Sequence, residues 1–471
     1  MATRESVIRK SEKYFDDGGF VEELSKLVEV ETESQNPSKR HELHRYLEDF
    51  ISPLLKNIGF KIEIFANPVL NGGPILIGER IEDPNLVTML SYGHGDVTPP
   101  QEDEWNEGLT PYKIVVKGGR IYGRGTADNK CQHLINIRAL ACLIEERGSL
   151  GFNVKFVIET SEEIGSIGLR EFFLEHKERL KSDLMIASDG PRVDKDVPTL
   201  FMGSRGGLCF KIDVNLREGQ NHSGNWGGLL ADPAIYLAHA ITCIVDSRGQ
   251  LKIPEWRPRS LTPKIRLALK NIPAPMGGVE ISSEWGEVGL TPAERAFGWN
   301  SFAVLAIDSG DPKAQVNAIA GKASAICQLR FVVGTELDEI LPSLRRELDN
   351  NDLAMVAINK VNNNFLNATR EDLDNVWVKF CTNSLAKTSG KNPHILPNLA
   401  GSLPNDVFVD ILNVTTVWIP HSYAGCSQHA PNEHILMATS RDSLRNMAGL
   451  FWDIAEYKFN FHMSRFQTTD Y

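Results

Sequence analysis

Three apolar runs of strand length constrain this chain more than any other feature, because each stops abruptly at ionisable residues. LVTMLSYGHGD (Leu86–Asp96) ends at His94 and Asp96, VKFVIETSEE (Val154–Glu163) at Glu162 and Glu163, and DLMIASDG (Asp183–Gly190) at Asp189. Alternating with helical patterns, such runs predict an α/β domain on a mainly parallel sheet flanked by helices. Ligands of open α/β sheets bind outside the carboxyl ends of the strands, so the three polar endings are expected to converge on one crevice.

The segment GRGTADNKCQHLINIRALACLIEE (Gly123–Glu146) predicts a glycine-rich turn feeding a helix, with Leu134, Ile137, Ala141 and Ile144 on one apolar face. Asp128 sits where a helix N-cap is expected. From Gly203 the texture changes. LCFKIDVNL (Leu208–Leu216), AVLAIDSG (Ala303–Gly310) and GKASAICQLRFVV (Gly321–Val333) resemble half-exposed strands, with helical stretches between and after them. They predict a separate α+β domain inserted into the first. Its proline- and glycine-rich stretch, 253–298, is expected to be an irregular connection. NVWVKFCTNSLAKTSG (Asn375–Gly390) then predicts a helix ended by Gly390, and VTTVWIPHSYAGCSQHAPNEH a strand followed by a long polar loop. The expected layout is a first domain over 1–202, an insertion over 203–367, and the first domain resumed over 368–471.

With 471 residues, 42% of them hydrophobic, the chain can build two cores. Its net charge of -11 argues against a nucleic-acid binder, which neutralises phosphates with a basic surface. Seven cysteines, an odd number with no CxxC pair, point to free thiols in a reducing compartment. The opening MATRESVIRKSEKYFDDGGF lacks the apolar run of a secretory signal, and no stretch of about 18 apolar residues occurs. A cytoplasmic protein without a membrane span is therefore expected.

Each polar cluster has an ordinary explanation when taken singly. Asp128 can be a helix cap, Glu162 and Glu163 solvated carboxylates in a first helical turn, Asp189 half of an Asp-Gly turn, and His94 or His429 a loop histidine. Together they form a nitrogen and oxygen donor set suited to Zn²⁺, Mn²⁺ or Co²⁺. A site with two metals about 3.5–4 Å apart needs a bridging carboxylate, two terminal ligand sets and a base for the attacking water. The inventory supplies all of these, and adjacent glutamates then make sense: one binds metal while its neighbour moves a proton.

GHGDVTP (Gly93–Pro99), GRGTADNK (Gly123–Lys130), ETSEEIGSIG (Glu159–Gly168), SDG (Ser188–Gly190) and HAPNE (His429–Glu433) follow one another in an informative order. In them the chain resembles the dinuclear metallopeptidases and deacylases that include carnosine and other cytosolic dipeptidases, acetylornithine deacetylases, succinyl-diaminopimelate desuccinylases, aminoacylases and glutamate carboxypeptidases. The dipeptidase branch is nearest in pattern. The resemblance implies a zinc-exopeptidase-like catalytic domain carrying an inserted dimerisation or lid domain. It implies that Asp128 bridges two divalent ions, Zn²⁺ first and Mn²⁺ or Co²⁺ next, with His94 and Asp189 completing one set and Glu163 and His429 the other. Glu162 would be the general base, and Asp96 would orient the ring of His94.

Further correspondences concern the inserted domain. NHSGNWGG (Asn221–Gly228) resembles a stretch whose histidine, here His222, is donated to the partner subunit of a homodimer to stabilise an oxyanion. VNAIAGKASAICQLR (Val316–Arg330) would bring Asn317 to the substrate amide and Arg330 to a substrate carboxylate. LAGSLPND (Leu399–Asp406) would place Gly401 and Ser402 beside the substrate. Cys131 and Ala400 stand where the family commonly has glycine, and HSYAGCSQHAP replaces a more acidic loop. His421 has no family counterpart and is expected at the surface; His434 is set aside in favour of His429. The expected activity is hydrolysis of an amide or peptide C–N bond in a small carboxylate-bearing substrate, a dipeptide or N-acyl amino acid. A catabolic amidohydrolase or deaminase of an aromatic amide or amine, and a non-catalytic metal-binding protein, remain open.

Overall fold

The computed structural model describes residues 2–274, 280–361 and 366–457. The chain divides into two compact units, one of Met1–Leu200, Leu373–His394 and Val407–Tyr471, the other of Phe201–Asp372 and Ile395–Asp406. The second unit starts close to the expected boundary. It also takes in the segment holding Gly401 and Ser402, which the expected layout gives to the first domain.

In the first unit, the order of the sheet is Lys61–Phe65, Ile75–Arg80, Asn153–Glu159, Thr88–His94, Leu184–Ala187, Thr415–Trp418, and the short strands Thr199–Phe201 and His394–Leu396, which straddle the unit boundaries, complete it. The first two strands are antiparallel additions. At the centre, Thr88–His94 runs parallel to both Asn153–Glu159 and Leu184–Ala187, and the latter runs parallel to Thr415–Trp418. Val154, Phe156, Val157 and Ile158 are all fully buried, as expected of a sheet covered on both faces. Because His94 is in register with Glu159, the residues following these strands leave from one edge of the sheet. The expected convergence of the polar endings follows from that parallel register.

The helix after the glycine-rich turn spans Lys130–Arg147. One apolar face was expected, but every residue from Lys130 to Leu143 except Arg138 is buried. Helices Arg4–Asp16 and Met437–Glu456 cover its outer side. Asn129 holds the N-cap position, so Asp128 is not the cap. At the other end Gly148 takes a left-handed φ of 85° and its N–H closes on the carbonyl of Ile144, a conformation glycine adopts cheaply.

The second unit is built on a four-stranded antiparallel sheet ordered Ser301–Asp308, Lys322–Phe331, Gly206–Asn215, Val356–Lys360. Gly206–Asn215 and Lys322–Phe331 alternate between buried and half-buried positions, and their inner residues pack with Leu237, Ile244, Trp256 and Leu344. Ser301–Asp308 departs from the expected alternation: it is an edge strand exposed along nearly all its length. The supposedly irregular 253–298 stretch contains a 3-10 turn, Pro254–Trp256, and helices Pro263–Leu269 and Pro292–Phe297. Pro263 and Pro292 occupy first helical positions after the caps Thr262 and Thr291, where a missing N–H costs nothing. Residues 275–279 of this stretch lie outside the described residues.

Candidate metal centre

The strand ends, the turn before Lys130 and the loop of His429 deliver side chains to one cluster, buried or half-buried except for His429, which is 52% exposed. His94 Nε2 lies 2.9 Å from Asp128 Oδ1 and 3.5 Å from Asp189 Oδ2. His429 Nε2 lies 2.9 Å from Asp128 Oδ2 and 3.1 Å from Glu163 Oε2. The two oxygens of one carboxylate thus face two histidines, and each histidine is accompanied by a second carboxylate. Ligand atoms of His94, Asp128 and Glu163 all lie within 4.8 Å of one another. Asp189 Oδ2 is buried without a hydrogen-bond partner, an expensive state for a carboxylate oxygen unless a cation satisfies it. The donor chemistry and this orphaned oxygen fit divalent metal ions.

The electrostatics agree. Burial disfavours the charged ring of His94, but the adjacent carboxylates of Asp128, Asp189 and Asp96 outweigh it and hold its pKa well above the ordinary value. Burial likewise pulls Asp128 upward, and the bonds to His429 and His94 overcome it, leaving that carboxylate below its usual range. Glu162 is pushed well above the carboxylate range by burial, with the charge of Glu163 adding to it against the pull of His94. Burial and the Asp128 charge raise Glu163 to about 7, and they raise Asp189 as well. The cluster therefore holds more negative charge than its imidazoles balance, a deficit that bound cations would remove.

Backbone anchors fix this arrangement. Asp96 accepts from the N–H groups of Glu162 and Glu163, both at 3.1 Å, and so caps the short Glu162–Ile164 turn. Its carbonyl oxygen is the hydrogen-bonding partner of His94 Nδ1 at 3.1 Å, with its carboxylate 3.4 Å from the same nitrogen. Asp96 holds the ring mainly through its backbone and the glutamate pair through its side chain. Asn129 donates to the Ser188 carbonyl at 2.8 Å and faces His133 at 3.0 Å, linking the turns that carry Asp128 and Asp189.

One organising residue escaped the sequence reasoning. Glu433 accepts from the backbone of Ala127, Asp128 and Gly125 at 2.8, 3.1 and 3.0 Å and pairs with Arg124 at 2.9 Å. Both charged side chains are 1% exposed. The pair ties the Asp128 turn to the His429 loop, where Ser427, His429 and Asn432 all take left-handed φ values that need such support. Its only sequence signal is membership of two separate motifs. Gln428, also in that loop, donates to Asp128 Oδ2.

His421 is not at the surface. It is fully buried behind Asp189, 2.9 Å from Ser188 Oγ, and burial holds its pKa well below the ordinary value. Both ring nitrogens of His434 are engaged, by Tyr423 Oη at 2.7 Å and the Asn432 carbonyl at 2.9 Å.

The remaining predicted residues lie in the second unit as two pairs. Exposed His222 belongs to the two-residue strand pairing with Ala318–Ile319, and Ser223 N–H donates to the Asn317 carbonyl at 2.9 Å. Arg330 donates to Ser402 Oγ at 2.8 Å and has no carboxylate partner among the described residues. The backbone of Gly401 accepts from Arg205 N–H at 3.1 Å.

The curated relatives include the Beta-Ala-His dipeptidase of Mus musculus, 34% identical over 248 residues, 50% of each chain. The Cysteinylglycine-S-conjugate dipeptidase of Corynebacterium striatum is 30% identical over 234 residues, 49% of this chain and 50% of that one. The chain spans about half the length of the curated relatives it matches. The crystal structure of human carnosine dipeptidase 1 superposes with a TM-score of 0.79 at 23% identity, covering 97% of this chain and 100% of that one, a likeness of fold. Residues 90–455, which contain all five motifs and the whole cluster around Asp128, match the sequence pattern of peptidase family M20/M25/M40, and the chain belongs to that family.

Proposed function

We propose that the protein hydrolyses a peptide or amide C–N bond in small carboxylate-bearing substrates, dipeptides first and N-acyl amino acids next. The observation that carries this reading is the sharing of Asp128 between two histidine–carboxylate sets. His94 and Asp189 would hold one divalent ion, Glu163 and His429 a second, and Asp128 both; Zn²⁺ is the first candidate, Mn²⁺ or Co²⁺ the next. Such ions, when bound, supply positive charge that polarises the scissile carbonyl and acidifies water.

The chain's own groups do the rest. Glu162, whose carboxylate lies 4.0 Å from His94 Nε2 and whose backbone is anchored by Asp96, takes a proton from the attacking water and delivers it to the departing amine. His222 and Asn317 stabilise the oxyanion of the tetrahedral intermediate, His222 from the partner subunit of a homodimer. Arg330, held by Ser402, pairs with the substrate carboxylate, and Gly401 lies beside it. Dimerisation through the second unit is supported by the outer edge of Ser301–Asp308, which has no neighbouring strand among the described residues and exposes Leu305 and Ile307. Among the described residues no helix is long and apolar enough to cross a membrane. The seven free cysteines support a reducing compartment, the cytoplasm.

A screen of metal-loaded protein against dipeptides, N-acyl amino acids and aromatic amides tests the reading, with Glu162→Gln as the blank. Dipeptide turnover is expected, and the variant should lose about 10²–10⁴-fold in kcat while keeping its metal. Turnover confined to aromatic amides would transfer the assignment to an amidohydrolase, and a fully metal-loaded but inert protein would leave only metal binding.

A further inference from the structure

A cavity of about 380 Å³ opens wholly within the second unit, walled by Leu251, Ile281, Trp285, Trp299 and Phe302, with Arg205 on its lining. Its size and apolar walls match those of small-molecule sites, which run from about 300 to 1,000 Å³. What sets it apart is charge. Arg205 is only 7% exposed, yet no carboxylate pairs with it among the described residues. Its Nε donates to the Ala400 carbonyl at 2.5 Å, and its Nη1 to the Trp299 carbonyl at 3.3 Å and Ser301 Oγ at 3.0 Å. Nη2 has no partner there. Burial first, then the positive charge of Arg330, push Arg205 down to about 9.

Three other lining residues carry a buried atom without a hydrogen-bond partner among the described residues: Trp299 through Nε1, Arg295 through Nε and Glu287 through Oε2. Glu287, the carboxylate on the lining, is engaged by Arg257 through Oε1 and does not pair with Arg205, so Arg205 and Arg295 leave the lining with an excess of positive charge. A buried cation without a counter-charge and a buried indole N–H without an acceptor are both costly, and a carboxylate placed against the two would relieve both. The aromatic walls then exclude a small hydrated anion and favour one carrying an apolar body.

We propose that this cavity binds a small amphipathic carboxylate, its anionic end on Arg205 and Trp299 and its aromatic or branched body between Trp285 and Phe302. The site stands on residues of the second unit alone and does not depend on the metal centre. The carboxylate is either an end of the substrate or product, or a separate effector; the same chemistry serves both.

The test is tryptophan fluorescence of the full chain titrated with 3-phenylpropionate, beside 3-phenylpropanol, which has the body without the charge, and acetate, which has the charge without the body. Saturable quenching by 3-phenylpropionate is expected, at least about tenfold tighter than either comparator, as a charge-assisted hydrogen bond implies. Arg205→Met should weaken it by about tenfold or more, and Ala296→Phe, which fills the cavity from a different wall and leaves the arginine in place, should do the same with unchanged thermal melting. Arg330→Met should leave it intact. Equal binding of the alcohol, or binding insensitive to Ala296→Phe, or binding abolished by Arg330→Met alone, would overturn the proposal. In assays of turnover, competitive inhibition relieved by Ala296→Phe assigns the carboxylate to the substrate or product, and non-competitive inhibition relieved by the same variant assigns it to an effector.

Discussion

The candidate metal centre of the first unit and the His222–Asn317 and Arg330–Ser402 pairs of the second are built on opposite principles. In the first, all the proposed ligands but the exposed His429 are buried or half-buried, and their turns are braced by further groups: Asp96 beneath the glutamates, Glu433 beneath Asp128, Asn129 between the two aspartate turns. In the second, His222 and Asn317 are exposed, and Arg330 has a serine where a carboxylate would neutralise it. The difference teaches that the first region is preorganised within one chain, whereas the second leaves its groups open, as the proposed contacts with a substrate and a second subunit require.

Predictions that break or sharpen this contrast run from large effects to small. Chelation should abolish hydrolytic turnover altogether and lower the thermal midpoint, because ions that bind only the folded state stabilise it. Zn²⁺ or Mn²⁺ should restore both, and activity surviving exhaustive chelation would move the chemistry away from the first unit. His222→Ala should lower kcat by about 10²–10³-fold, the usual cost of an oxyanion donor, while metal content and stability stay unchanged. Any loss of metal in that variant would erase the distinction between the two regions. Glu433→Ala strands Arg124 in the interior and should cost about 3–5 kcal/mol in denaturant unfolding, along with weaker metal binding. A loss below about 1 kcal/mol would mean that the Asp128 turn is held by something else.

The smallest expected effect concerns the strand that carries the glutamate pair. Glu82 accepts from the N–H groups of Leu150 and Gly151, just before that strand begins. Burial pulls it upward, but these bonds and Arg80 outweigh burial and hold its pKa below the usual 4.5. A depressed carboxylate contributes stability that is present above its unfolded pKa and disappears as pH falls through the folded value. Glu82→Gln should therefore cost about 1 kcal/mol at neutral pH, allowing for solvent screening, with the gap to the native chain closing below about pH 4.

Much of this architecture is legible in the sequence because strand endings obey strong rules. An apolar run long enough for a buried strand, stopped by histidine or carboxylate, has few places to go in an α/β fold, and the parallel register makes the endings meet. Burial of polar residues is far less legible. Gln132, His133 and Asn136 make Lys130–Arg147 look amphipathic, yet these side chains serve the turns behind the metal centre: Gln132 accepts from His421 N–H, and Asn136 donates to Ser188. His421 reads as a loop histidine for the same reason, since composition does not reveal which polar loop is covered. Proline in 253–298 misleads in the opposite direction, because a helix-starting proline and a chain-breaking one look alike until the cap before it is recognised. Glu433 is invisible because its partners are backbone N–H groups about 300 residues away.

The central claim, that one carboxylate joins two metal-binding sets, is tested most directly by equilibrium metal binding to the native chain and two variants. The account predicts two equivalents of divalent ion for the native chain, one for His429→Ala, and neither held tightly by Asp128→Ala. A single equivalent in the fully loaded native chain, or two retained by Asp128→Ala, would contradict it.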